Sequence, residues 1–123
     1  MTLLEKPGRT VPARSRKGAH ADIDITTTKS GTPGGIFMRR FWHAVHRSDD
    51  LPAGHAKPIR IMSEDYALYR GSSGKAQIIA YRCPHRGAPM HLGWVEEDAI
   101  RCVYHGWKYG CSGQCVEQPY FQP

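Results

Sequence analysis

Two short stretches constrain this chain more than anything else in it: CPH at 83–85 and CVYH at 102–105. Each couples one cysteine to one histidine, and sixteen residues separate His85 from Cys102, so the whole pattern is C-x-H-x16-C-x2-H. Pro84, Gly87 and Pro89 crowd the first pair and Gly106 follows the second; such residues punctuate turns rather than fill helices or strands. Two thiols and two imidazoles on two separate turns acquire a common chemistry only if the fold brings the turns face to face. Each pair also sits at the end of a β-prone run, AQIIAYR (76–82) and AIRCVY (99–104).

Such a donor set has two chemical readings. One is a tetrahedral zinc site, which accepts Cys and His in any order. The other is a two-iron cluster in which two cysteines hold one iron and two histidines the other. Zinc fingers group cysteine with cysteine and histidine with histidine, whereas here each loop supplies one of each, as two loops clasping a two-metal group would. Disulfides are the weaker reading of Cys83, Cys102, Cys111 and Cys115, because the N-terminus MTLLEKPGRTVPARSRKG lacks the apolar core of a secretion signal.

The remaining sequence predicts a small all-β domain of antiparallel sheets with a two-loop binding subdomain. PIRIM (58–62) and YALYR (66–70) read as a hairpin across Ser63-Glu64-Asp65; GSSG (71–74) turns into AQIIAYR; KYGCSGQCVEQ (108–118) reads as a last hairpin around Ser112-Gly113. FWHAVH (41–46) is a further strand candidate before a turn at 52–54, and no long helical period is visible. Residues 1–35, rich in Gly, Pro, Ser, Thr and charge, read as a basic disordered leader, with order beginning near Ile36 and the domain running over 36–123. The net charge is +6, of which residues 1–20 carry +4. No basic and aromatic array continues into the folded part, which argues against nucleic acid. No apolar run approaches the roughly 20 residues that span a bilayer, and the chain reads as cytoplasmic.

CPHRGAP at 83–89 and CVYHGWKY at 102–109 resemble the two cluster loops of Rieske proteins, specifically the N-terminal domain of the alpha subunit of Rieske non-haem iron ring-hydroxylating oxygenases. The resemblance covers about residues 36–119, including FWHAVHRSDDLPAG, with the cluster-binding part at about 82–118. It implies that Cys83 and Cys102 bind one iron of a [2Fe–2S] cluster and His85 and His105 the other, inside a shell of Arg86, Gly87, Tyr104, Gly106 and Trp107. It also implies a mononuclear Fe(II) in a C-terminal catalytic domain that this chain, ending at Pro123, does not contain. Alone the chain is then expected to pass one electron and hydroxylate nothing. The implied partners are a reductase or ferredoxin donor and the catalytic domain of the same or a neighbouring subunit of a homotrimer. A stand-alone Rieske electron carrier is the alternative.

High-potential Rieske proteins carry a further cysteine in each loop and a serine after the His-Gly pair. Here the corresponding positions are Arg86-Gly87-Ala88, Val103-Tyr104 and Trp107. Fewer hydrogen-bond donors disfavour the reduced cluster, so the low end of the Rieske span of about −150 to +300 mV is expected. Trp107 and Tyr109 are read as shields of the cluster, and His91 as a surface or supporting residue rather than a ligand. Cys111 and Cys115 are read as small hydrophobes beside a hairpin, and His20, His43, His46 and His55 as ordinary strand and loop residues.

Overall fold

The structure, a computed structural model, describes residues 25–119. Two antiparallel sheets make up most of it. The first contains β1 (Ala56–Ile61), β2 (Glu64–Arg70) and β3 (Ala76–Ala80), in that order. Ile61 pairs with Glu64, so the β1–β2 turn is Met62-Ser63 rather than the Ser-Glu-Asp segment. Both turn residues have positive φ, 48° and 68°, the twist that suits a two-residue hairpin.

The second sheet runs β4 (Trp94–Glu96), β5 (Ala99–Arg101), β6 (Lys108–Tyr109) and β7 (Cys115–Glu117). The final hairpin turns at Gly113, as the sequence suggests. Tyr69 of β2 bridges the sheets: its buried hydroxyl donates to Gln77 Oε1 at 3.0 Å and to the Asp98 carbonyl at 3.3 Å. Ser72 N–H adds a 2.8 Å bond to the Glu97 carbonyl. The core between the sheets is Ala67, Tyr69, Cys83, Met90, Ile100, Cys102 and Tyr109. Two of the predicted ligands are therefore core residues.

Two further expectations fail. FWHAVH forms no strand; Phe41 and Val45 are exposed and Trp42 wholly so. Its residues have strand-like composition but no neighbouring strand to pair with, and β propensity expresses packing on a half-buried surface rather than an intrinsic backbone choice. Conversely, a six-residue helix, α1 (Pro33–Met38), lies partly within the segment assigned to the leader. Thr32 Oγ1 caps it by accepting from Gly35 N–H at 3.1 Å, and Pro33 begins it. A Cβ on Gly35 would lie 2.0 Å from the Lys29 carbonyl oxygen, so only glycine lets this turn close on the preceding chain. Residues 1–24 lie outside the described part, and so does the leader expectation for them. Among the described residues no helix is long and apolar enough to cross a membrane.

Candidate metal centre

The two motif loops leave β3 and β5 and have one conformation. In the first, Cys83 N–H donates to the Ala88 carbonyl at 2.8 Å and Gly87 N–H to the Cys83 carbonyl at 2.8 Å. In the second, Cys102 N–H donates to the Trp107 carbonyl at 2.9 Å and Gly106 N–H to the Cys102 carbonyl at 3.0 Å. Gly87 and Gly106 occupy matching positions with φ of 72° and 73°, a region that costs most L-residues free energy and glycine almost none. Each cysteine sulfur accepts from the backbone N–H groups two and three residues on: His85 and Arg86 for Cys83, Tyr104 and His105 for Cys102. The loops thus form two matched cradles for a negatively charged sulfur.

The four donors are sorted into pairs. Cys83 and Cys102 are 3% and 2% exposed and belong to the same buried core cluster. Burial pushes the Cys83 thiol up, but the Tyr109 hydroxyl, the backbone N–H groups and Cys102 outweigh it, and its net shift is downward. Cys102 moves upward, chiefly through burial and through sharing a charge with Cys83. His85 and His105 lie farther out, with ring centres 4.6 Å apart, His85 half-buried and His105 exposed. Burial first, then His105 and Arg86, lower the His85 pKa and favour the neutral ring that a metal requires.

His85 Nδ1 is buried without a hydrogen-bond partner, a costly state for a polar atom unless a ligand completes it. Thiols on one side and imidazoles on the other suit a two-metal group rather than one tetrahedral ion.

Of the predicted shell, Trp107 stacks on His85 almost parallel, 3° between planes and 4.4 Å between centres. Tyr104 leans on His105 at 3.9 Å. With Gly106 and Pro119 these four rings line an open hollow of about 490 Å³ over the imidazoles. Arg86 is exposed beside His85. His91 stands apart from the pair, stacked on Tyr81 at 5.2 Å. His43, His46 and His55 are exposed and bonded to nearby carbonyls. Cys111 and Cys115 are both free and exposed. They flank the last hairpin without packing into the core as small hydrophobes would, because the strands there are too short to be covered.

Three contributors escaped the sequence reading. Tyr109 does more than shield: its buried hydroxyl is 3.3 Å from Cys83 Sγ. Arg82 and Arg101, each immediately before a motif cysteine, reach forward to the loop glycines. Arg82 Nη1 donates to the Gly87 carbonyl at 3.1 Å and Arg101 Nη1 to the Gly106 carbonyl at 2.8 Å. The repeated Arg-Cys dipeptide was the available signal.

Fold and site together define a small iron–sulfur domain, and comparison with known proteins gives its family. The family model described as "Rieske [2Fe-2S] domain" matches residues 41–123, and the chain belongs to that family. Its cofactor is the [2Fe–2S] cluster.

The relatives include the 5,5'-dehydrodivanillate O-demethylase oxygenase subunit of Sphingobium sp. (strain NBRC 103272 / SYK-6), 42% identical over 73% of this chain and 21% of the relative. Phenoxybenzoate dioxygenase subunit alpha of Ectopseudomonas oleovorans is 39% identical over 81% of this chain and 24% of the relative. Among solved structures, dicamba monooxygenase bound to dicamba superposes with a TM-score of 0.62 at 30% identity, over 68% of this chain and 26% of that one. The chain therefore spans less than a quarter of the length of these two curated relatives.

Proposed function

We propose that this chain is the electron-entry domain of a ring-hydroxylating type of oxygenase, holding a low-potential [2Fe–2S] cluster with Cys83 and Cys102 on one iron and His85 and His105 on the other. The observation that carries this reading is the sorting of the donors, a buried thiol pair beneath a more exposed imidazole pair, on two loops of one conformation. When bound, the cluster supplies a reversible one-electron centre. The chain's own residues do the rest. The backbone N–H groups of His85, Arg86, Tyr104 and His105 stabilise charge on the thiolates, and the core excludes water from them. His105 and Tyr104 present the other side to a partner.

The partners proposed are a reductase or ferredoxin donor and, as acceptor, a mononuclear-iron catalytic domain of the same or a neighbouring subunit in a trimer. The residues fit a low potential in part. Trp107 stands where a serine hydroxyl would donate to the cluster, and neither loop has a second cysteine; Tyr109 supplies one hydroxyl.

The test is anaerobic purification with spectroscopy and redox titration. A red-brown protein whose reduced form gives an EPR signal averaging near g of about 1.9, with a midpoint below about +100 mV, fits the proposal. A colourless zinc protein overturns the cluster, and a higher midpoint overturns the low-potential assignment. Replacing His105 by Cys keeps a cluster at lower potential, whereas Cys83→Ala loses it.

A further inference from the structure

The two loops match in backbone, yet what holds each of them differs. Arg101, behind the second loop, is 19% exposed and gripped from both flanks: Nε and Nη2 meet Glu96 at 2.7 and 2.9 Å, and Nη1 and Nη2 meet Glu117 at 3.0 and 2.9 Å. Its Nη1 also holds the Gly106 carbonyl. Arg82, behind the first loop, makes the same bond to the Gly87 carbonyl but has no carboxylate partner among the described residues. Its guanidinium lies 5.3 Å from the centre of the Tyr81 ring, and Tyr81 in turn stacks on His91. The 2.8 Å bond from Met90 N–H to the Tyr81 carbonyl ties that stack to the far end of the same loop. The strand pairing is equivalent too: Arg82 bridges Pro89 as Arg101 pairs with Lys108.

An exposed arginine bonded to a loop carbonyl contributes little to global stability. That bond does, however, fix the carbonyl of Gly87, the residue whose N–H closes the loop on Cys83. From this, and resting on the ligand assignment proposed above, we infer that Arg82 is the positioning residue of the first ligand loop. Held by the Tyr81–His91 stack, it sets the orientation of Cys83 and His85 as Arg101 sets that of Cys102 and His105. His91 thereby acquires a role: its ring, with Nδ1 buried, stacks on the Tyr81 ring that Arg82 also meets.

The 123-residue chain carrying Arg82→Ala, Arg82→Lys or Arg60→Ala is compared with wild type. Arg60 serves as the charge control: it is exposed, shares a surface hollow with Tyr81 and Arg82, and pairs with Asp65. Loss of cluster to an iron chelator, the EPR line shape of the reduced protein and thermal unfolding are measured. R82A is expected to unfold near the wild-type temperature, to lose its cluster about five-fold faster, the worth of one exposed hydrogen bond, and to show broadened or shifted g values.

R82K, which can still reach one carbonyl, recovers most of both effects, and R60A behaves as wild type. The inference is overturned if R82A matches wild type in chelator loss and line shape, or if R60A reproduces its changes, which would make them an effect of charge alone. An R82A too unstable to measure is replaced by Arg82→Met, which keeps the side-chain stem and loses the donors; faster cluster loss with an altered line shape supports the inference, and wild-type behaviour in both overturns it. Should the wild type bind no cluster, the ligand assignment itself fails, an outcome distinct from any difference among variants.

Discussion

Replacing Tyr109 by Phe isolates one hydrogen bond to the cluster's ligands with little else disturbed. Tyr109 is 2% exposed and its ring belongs to the core, so Phe fills the same volume and leaves no new cavity. What disappears is the hydroxyl 3.3 Å from Cys83 Sγ. Burial first, and then that bond, hold the phenol well above its ordinary range.

A hydrogen bond to a charged acceptor is worth about 1.5–3 kcal/mol, against about 1 kcal/mol for a neutral one. Adding an electron makes the sulfur a better acceptor, so the reduced form gains more from the bond, by about 1 kcal/mol. For a one-electron couple, where tenfold in the equilibrium is about 59 mV, the midpoint of Tyr109→Phe should fall by about 40 mV. Cys83 keeps its backbone donors, so the cluster should stay bound. Protein-film voltammetry or a dye-mediated titration measures the shift. An unchanged or raised midpoint, with the cluster intact, refutes the reasoning that the hydroxyl donates to the thiolate.

Arg101→Met removes the guanidinium shared by Glu96, Glu117 and the second loop; being partly buried, it should cost about 2 kcal/mol and lower the unfolding temperature by about 10 °C in a domain of this size. Differential scanning calorimetry reads this, and a shift under about 3 °C would show the network to be solvent-screened decoration. Chiefly through its bond to Arg101, with Lys108 adding, Glu96 has its carboxyl lowered from 4.5 to about 2. A folded pKa below the unfolded one means that its contribution is fully present above about pH 4.5 and is lost as the pH falls towards 2. Unfolding profiles of Glu96→Gln should therefore lose part of the acid dependence in that window; a profile parallel to wild type contradicts the assignment. Gly93→Ala places a Cβ 2.0 Å from the Arg101 carbonyl oxygen, with backbone on both sides; the β4–β5 pairing should open, with low soluble yield and no cluster incorporation, and a normally folded, coloured variant would count against this register.

Much of the site was legible because ligand chemistry is local. Cys83, His85, Cys102 and His105 stand out by type and spacing as candidate ligands, and the structure sets them on two loops whose turns the neighbouring glycines mark. Strands that pair with sequence neighbours, β1 with β2 and β6 with β7, were legible for the same reason. The rest depends on what the chain packs against. Trp94–Glu96 becomes a strand because β5 lies beside it, while FWHAVH has equal propensity and no partner. Helix α1 forms on a Pro-Gly-Gly start that propensity rejects, because Thr32 caps it and its glycines admit the preceding backbone. The contact of Tyr109 with Cys83 spans 26 residues, and a reach of that length has no signature in either residue's neighbours.

The stacking of Trp107 on His85 has an optical consequence. Of the three tryptophans, Trp42 is fully exposed and Trp94 is 56% exposed, and only Trp107 is in ring contact with a proposed ligand. An indole held against an iron–sulfur chromophore passes its excitation on instead of emitting, while indoles out in solvent shine at long wavelength. Domain loaded with its cluster should therefore be dim in the blue part of the tryptophan band, and should brighten there as iron leaves. In a Trp42→Phe, Trp94→Phe background, Trp107 becomes a built-in gauge of cluster occupancy, readable in a cuvette without any added label.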